Sequence, residues 1–318
     1  MSRQTTNQVL MIRPVAFTYN VETANDNHYQ IAPAKSEAAQ IQNKALEQFD
    51  GLVAILRQNG IAVTVIEDTP SPATPDSIFP NNWVSFHDNG EAIVYPMLAH
   101  NRRAEKRQEI ITQLAAMSNR KVSQITDYSW FENDEIFLEG TGSMILDREH
   151  KIAYAAISER MHLEALQTFC QKMGYRPFPF NALQSVGTKR LPIYHTNVMM
   201  CLGNTFAVVC LDSIDDMGER QNLITQLEST SKEVVAISEE QVTHFAGNML
   251  ELFNDRNERL LIMSSAAYRS LEDGQKTTLE KHCRLVHSPL STIERNGGGS
   301  ARCMMAEVFL PEAAVVSG

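Results

Sequence analysis

Residues 194–248 read YHTNVMMCLGNTFAVVCLDSIDDMGERQNLITQLESTSKEVVAISEEQVTHFAGN, and the order of patterns in this stretch decides the architecture. A polar corner at His195–Asn197 leads into an apolar run, Val198–Cys201. A second run, Thr205–Leu211, follows across a short turn. Met217–Ser229 then carries a helical pattern, and Val234–Ile237 is a third apolar run. The stretch closes on another Gly/polar corner, His244–Asn248. Strand, turn, strand, helix, strand is a ββαβ module. Working outward, the same order recurs. The polar corners are marked by Asn82, Glu139, Asn197, Asn248 and Cys303, separated by 57, 58, 51 and 55 residues. A near-constant period of this size signals an internally repeated architecture. Five modules fill the chain, the N-terminal strand Val9–Ile12 completing the module that Cys303 begins. The expected fold is therefore α/β, a closed five-bladed α/β propeller in one domain spanning 1–318. An ordinary open α/β sheet is the alternative, and it gives no reason for the even spacing.

Outside that stretch, helical patterns are expected at 36–59, Asn101–Met117, Ser158–Met173 and Tyr268–Cys283. Further strands are expected at Ile61–Ile66, Ala92–Tyr95, Ser143–Leu146, Ile152–Ala156, Met249–Leu252, Leu260–Ser264 and Met304–Phe309. The first helix shows a broad apolar stripe through Ile41, Ala45, Phe49, Leu52 and Leu56, and Asn59-Gly60 closes it.

With 318 residues, 43% of them hydrophobic, the chain can bury a large core. Its formal charge of −10 makes it a poor binder of nucleic acid or of anionic membrane. The N-terminus lacks a signal-peptide pattern and no apolar run is long enough to span a bilayer, so a cytoplasmic protein is expected. Five cysteines at unrelated spacings fit free thiols in a reducing compartment.

The chemistry concentrates at the corners. Asn296-Gly297-Gly298-Gly299-Ser300-Ala301-Arg302-Cys303 places a cysteine after three glycines, which let backbone approach a ligand closely. Arg302 beside it could favour the thiolate, the form that attacks. His195 opens a strand, and its ordinary pKa near 6.5 suits proton transfer. Glu139 sits in Phe137-Leu138-Glu139-Gly140, an apolar, glycine-rich setting where a carboxylate needs a cationic partner. Each residue alone is more often structural: a buried thiol, a satisfied histidine, a solvated turn. No spacing of His, Cys and carboxylates suits a metal, and Gly140-Thr141-Gly142-Ser143 lacks the phosphate-loop pattern, so no cofactor is expected.

Together the motifs resemble the guanidino-group-modifying enzyme superfamily, the pentein fold. FPNNWVSF at 79–86, LEGTGS at 138–143, YHTNVMM at 194–200 and GGGSARCM at 297–304 are most similar to proteins called arginine-deiminase-related or citrulline utilization hydrolase, also labelled amidinotransferase. The resemblance implies that Cys303 attacks the central carbon of a guanidino or ureido group. It implies that His195 protonates the leaving amine and then activates water, and that Glu139 holds the substrate's nitrogens. Asn81, Asn82, Asn197 and Gly298 fall on its substrate-binding segments. The substrate expected is a small amino acid, and either a monomer or a homodimer is compatible with the acidic composition.

Two departures bear on specificity. Where deiminases carry an Asp on the first loop and a His-x-Asp segment, this chain has Asn81-Asn82 and His195-Thr196-Asn197. Neutral amides in place of carboxylates suit a substrate less cationic than arginine, such as citrulline. For the α-carboxylate clamp, Arg13 is the first candidate, with Arg295 and Arg302 competing. Two alternatives to a hydrolase remain: an amidinotransferase with an acceptor amine, and a non-catalytic binding protein of the same fold. Having Cys303, His195 and Glu139 together argues against the latter.

Overall fold

The computed structural model describes residues 3–33 and 38–313. β1 (Gln8–Arg13) runs parallel to β2 (Ala62–Glu67), joined through α1 (Ala38–Gln58). The next sheet holds β3 (Val84–Phe86) and β4 (Glu91–Val94) antiparallel, then α2 (Gln108–Ser118) and β5 (Gln124–Asp127), parallel to β4. After a single helical turn, α3 (Gly140–Ser143), the pattern repeats in β6 (Ile145–Asp147), β7 (Ile152–Ala156), α4 (Leu163–Met173) and β8 (Arg176–Phe180). A hairpin, β9 (Leu183–Val186) with β10 (Lys189–Pro192), is inserted next. Then come α5 (Thr196–Met199), β11 (Met200–Leu202), β12 (Phe206–Val209), α6 (Met217–Ser229) and β13 (Glu233–Ala236). A short helix, α7 (Glu239–Thr243), precedes β14 (Leu250–Phe253), β15 (Arg259–Ser264), α8 (Ser265–Ser270), α9 (Asp273–Glu280) and β16 (Arg284–Ser288). Finally α10 (Ser291–Gly297) leads to β17 (Ala306–Glu307), which pairs antiparallel with β1.

The described residues thus form a mixed α/β fold containing five three-stranded sheets of one topology, an antiparallel pair followed by a parallel third strand. The parallel partner needs a crossover, and the helix supplies it. First strands of successive sheets lie against each other, β17 on β3, β6 on β11 and β11 on β14. The middle strands β7, β12 and β15 are mainly apolar because both faces are covered. In one core cluster, Phe206, Val208 and Val209 pack with Leu223 and Leu227 of α6 and with Val198 and Met249. Each such side chain stabilises the fold by roughly 1.5–3 kcal/mol.

Several boundaries differ from the sequence expectation. The helix expected at Asn101–Met117 is a 3-10 segment, His100–Glu105, and then α2, because Arg107 is extended at φ −95°, ψ 110°. The one expected at Ser158–Met173 starts only at Leu163, after an extended His162. That expected at Tyr268–Cys283 divides into α8 and α9, since Glu272 is extended and its backbone N–H donates to Gln275 Oε1. The final strand shrinks from Met304–Phe309 to two residues, as Ala301–Met304 are turn. The expected helix 36–59 lies outside the described residues at 36–37.

Each polar corner adopts a compact turn just before the first strand of a sheet: Pro80–Asn82, Gly140–Ser143, Thr196–Met199, 244–247 and 301–304. Asn81 Nδ2 donates to Thr141 Oγ1 at 3.4 Å, linking the first turn to the second. Glu139 reaches His195, linking second and third. Asn248 Nδ2 donates to the Asn197 carbonyl at 2.9 Å and also reaches Cys303. Gly299, beside Cys303, lies so close to Phe79 that a Cβ would stand 2.9 Å from its ring.

Candidate active site

These turns enclose a small cavity lined by Cys303, His195, Asn82, Arg102, Arg160 and Tyr194, with Asp76 and the Gly297–Gly299 backbone. About 10 Å³ of it is open to water, room for about one molecule.

Cys303 is 2% exposed, in the turn that follows α10. Two amide N–H groups point at its sulfur: Asn248 Nδ2 at 3.1 Å and Asn197 Nδ2 at 3.4 Å. Asn248 Oδ1 also accepts from the Cys303 backbone N–H at 3.4 Å. Gly298, at φ +61°, closes α10 in the left-handed region. A Cβ there would stand 2.4 Å from Asn27 Nδ2, so only glycine fits without a shift. The Gly298 carbonyl accepts from Tyr194 Oη at 2.5 Å.

On the other side, Glu139 is fully buried and accepts from every direction. His195 Nε2 lies 2.8 Å from Oε2, Arg160 Nη1 donates to Oε2 at 3.4 Å, and Leu98 N–H donates to Oε1 at 3.0 Å. Arg102 Nη1 stands 3.8 Å away. Burial by itself would raise this carboxyl's pKa, but Arg160, His195 and Arg102 together hold it well below the usual carboxylate range. His195 moves down from its ordinary value. Burial is the main cause, Glu139 opposes it, and the two arginines reinforce it. With Nε2–H directed at Glu139, Nδ1 is the basic atom. A Cβ on Gly142 would come within 2.8 Å of Nδ1 and 2.4 Å of Asn82 Nδ2. The absence of a side chain there keeps the imidazole uncovered.

Of the residues singled out in the sequence, Cys303, His195, Asn82 and Gly298 line the cavity. Glu139 stands behind His195, and Asn197 against the sulfur. Asn81 is set back, bonded to Thr141 and Asn82. The arginine candidates are corrected. Arg13 is half-exposed at the end of β1 and bonded to Asp50 at 2.8 and 2.9 Å, with Glu67 at 3.5 Å. Arg295 is exposed. Arg302 turns away to the Met305 carbonyl and to Glu307 at 2.7 Å, so it does not serve the sulfur either.

The arginines in the cavity are Arg102 and Arg160, each 2% exposed. Arg102 forks onto Glu105 with two bonds of 2.9 Å and donates to Asn82 Oδ1 at 2.8 Å. Arg160 forks onto Asp26 and lies over the Tyr194 ring at 4.8 Å. Asp76 is buried too. Its Oδ2 accepts from Asn20 Nδ2 at 2.7 Å, while Oδ1 has no hydrogen-bond partner among the described residues. Burial raises its pKa above the ordinary value against the pull of Arg102. None of these carried a sequence signal beyond the i,i+3 pair Arg102–Glu105, whereas Asn248 was marked by its spacing. Among the described residues no group of three or more His, Cys, Asp or Glu could hold a metal ion, and no helix is long and apolar enough to cross a membrane.

Five like sheets, with Cys, His and Glu brought together where their leading turns meet, place the chain among the guanidino-group-modifying (pentein) proteins. Within them, residues 13–310 match the family described as N,N dimethylarginine dimethylhydrolase, eukaryotic, and the chain belongs to that family. No curated protein matches it. Among solved structures it is similar to ArgZ, an arginine dihydrolase from the ornithine-ammonia cycle in Cyanobacteria, at 16% identity and TM-score 0.71, covering 96% of this chain and 41% of that one. It is similar to unliganded AgrE at 18% identity and TM-score 0.72, covering 97% and 40%. It is similar to DDAH from Pseudomonas aeruginosa, solved as a mutant complexed with citrulline, at 16% identity and TM-score 0.62, covering 95% and 99%. The chain thus spans about two fifths of ArgZ and AgrE, but 99% of the isolated N-terminal domain of ArgZ. At these identities the likeness is one of fold.

Proposed function

We propose that the protein is a cysteine-dependent hydrolase that cuts a C–N bond of a ureido or guanidino amino acid, preferring a neutral ureido group of the citrulline kind. The observation that carries this is the pair of amide N–H groups on Cys303 Sγ, opposite a His195–Glu139 pair. In this reading neutral His195 takes the thiol proton as the sulfur bonds to the ureido carbon. The imidazolium, held by Glu139, returns that proton to the departing nitrogen as the C–N bond breaks. Water, deprotonated by His195, then cleaves the carbon–sulfur bond. Attack on a ureido carbonyl builds negative charge on oxygen, which amide donors stabilise. A guanidinium would call for carboxylates where Asn197 and Asn82 stand.

Arg160, backed by Arg102, is proposed as the α-carboxylate clamp. The unpartnered Asp76 Oδ1 is proposed as the acceptor for the α-ammonium group, beside the Gly298 carbonyl. The cyclic contacts of the five turns support reading the sheets as blades of one closed five-bladed propeller over the whole chain.

The test is ammonia release from L-citrulline, L-arginine and agmatine, beside a Cys303→Ala control. Citrulline turnover that falls by about 10⁴-fold or more in the control supports the proposal. Arginine equal to or better than citrulline in kcat/KM overturns the ureido preference, and release that persists without Cys303 overturns the nucleophile.

A further inference from the structure

The cavity that holds Cys303 has room for about one water, yet an amino-acid substrate must enter it. The obstruction is specific. Arg160 gives four of its five N–H groups to protein: Nε donates to Asp26 Oδ2 at 2.6 Å, Nη2 donates to Asp26 Oδ1 and to the Thr23 carbonyl, and Nη1 donates to Glu139. Asp26 therefore fills the two-pronged face that a substrate carboxylate would need.

The two cavity arginines differ in what holds them. The partner of Arg102 is Glu105, three residues away and 1% exposed at its side chain. The partner of Arg160 is 17% exposed and belongs to the segment 14–33, whose only helical turn is Thr23–Asn25. Asp26 also faces outward. It lines an open chamber of about 570 Å³ together with Glu22, Leu98, Arg103, Phe137 and His162. One carboxylate thus stands between a roomy outer chamber and the closed catalytic cavity. It can swing into the chamber and remain solvated there, whereas Glu105 has no such place to go.

We propose that Asp26 is a specificity-determining carboxylate that occupies the Arg160 fork until the substrate's α-carboxylate exchanges with it from the outer chamber. The inference rests on the reading of Arg160 as the carboxylate clamp. Exchange conserves the buried ion pair, one carboxylate replacing another. An amine without the carboxylate would leave the buried Arg160 fork empty, with Glu139 as the remaining carboxylate on this arginine, which is unfavourable. Asp26 thus admits α-amino acids and rejects their decarboxylated counterparts. Because only the fraction of molecules with Asp26 released can bind, the apparent affinity for the amino acid is lowered by that fraction.

The experiment is calorimetric titration of the full chain carrying Cys303→Ala, which prevents turnover. The probes are L-citrulline with N-carbamoylputrescine, and L-arginine with agmatine. Each pair shares its reacting group and differs in the carboxylate. Adding Asp26→Asn, which keeps the volume and removes the charge, should tighten amino-acid binding roughly three- to tenfold and leave the amine no tighter. Asp26→Ser should do the same. Arg160→Ala should abolish the preference for the amino acid. If Arg160→Ala leaves that preference intact, or neither pair binds, the clamp fails and the exchange with it. If Arg160 matters but both Asp26 variants bind the amino acid no tighter, the exchange alone is overturned.

Discussion

The two walls of the cavity hold their groups by opposite means. Around Cys303 the side-chain hydrogen bonds to the sulfur are neutral among the described residues, an amide from Asn197 and another from Asn248. Around Glu139 the side-chain partners are ionic or ionisable: His195, Arg160 and Arg102, with Asp26 and Glu105 behind the arginines. The neutral wall can be retuned by one charge without losing its shape. The ionic wall is interlocked, so that removing one member takes a partner from more than one buried charge.

The largest test of that contrast is Glu139→Gln. It removes the carboxylate that Arg160 and Arg102 share while leaving them Asp26 and Glu105, and stability should fall by about 1.5–3 kcal/mol. Turnover should fall by about 10²–10⁴-fold, because the imidazolium loses its counter-charge. Denaturant melts together with kcat check this; an unchanged midpoint would mean that the ionic wall is not interlocked. By contrast, Asn197→Asp beside the sulfur combined with Asn82→Asp beside Arg102 should leave the fold intact and raise the kcat/KM ratio of arginine over citrulline by roughly ten- to hundredfold. An unmoved ratio would detach specificity from charge.

Acid should weaken the ionic wall from two directions. His195 has a depressed folded pKa, so the unfolded chain binds that proton more readily, and stability falls as pH drops below about 6.5. The Glu139 carboxyl is also depressed. Its contribution is complete above its unfolded pKa near 4.3 and is lost as pH falls from there. The acid limb of kcat/KM should therefore lie below about pH 6.5; a limb above pH 7 would show that Glu139, not burial, dominates His195. The smallest expected effect belongs to Arg13→Ala, far from both walls. With its partners Asp50 and Glu67 exposed, stability should change by less than about 1 kcal/mol, and KM for amino acids should stay the same. A rise in KM would return Arg13 to the substrate.

The five polar corners were legible because each needs glycine or small polar residues in a turn ahead of an apolar strand, and those types recur at an even spacing. That spacing marked Asn248 as an equivalent of Asn197 and Cys303 before any role was visible. The strands Gln124–Asp127 and Arg176–Phe180 were not legible, since they carry too few apolar residues for a buried run. Nor were Arg102, Arg160 and Asp76. Each stands in an ordinary polar stretch, and only the fold brings Asp26 from before α1 against Arg160 from before α4.

What the sequence determined by itself is local: the ββαβ order, the turns, and the presence of a thiol, an imidazole and a carboxylate at their heads. Periodicity and turn chemistry depend on neighbours along the chain, so they can be read there. The tertiary structure alone decided which arginines face the cavity, which carboxylates neutralise them and which amides reach the sulfur. Those outcomes depend on burial and on contacts between residues from different modules, up to 134 positions apart, where the energy of a buried charge is set by whatever packs against it rather than by its own sequence context.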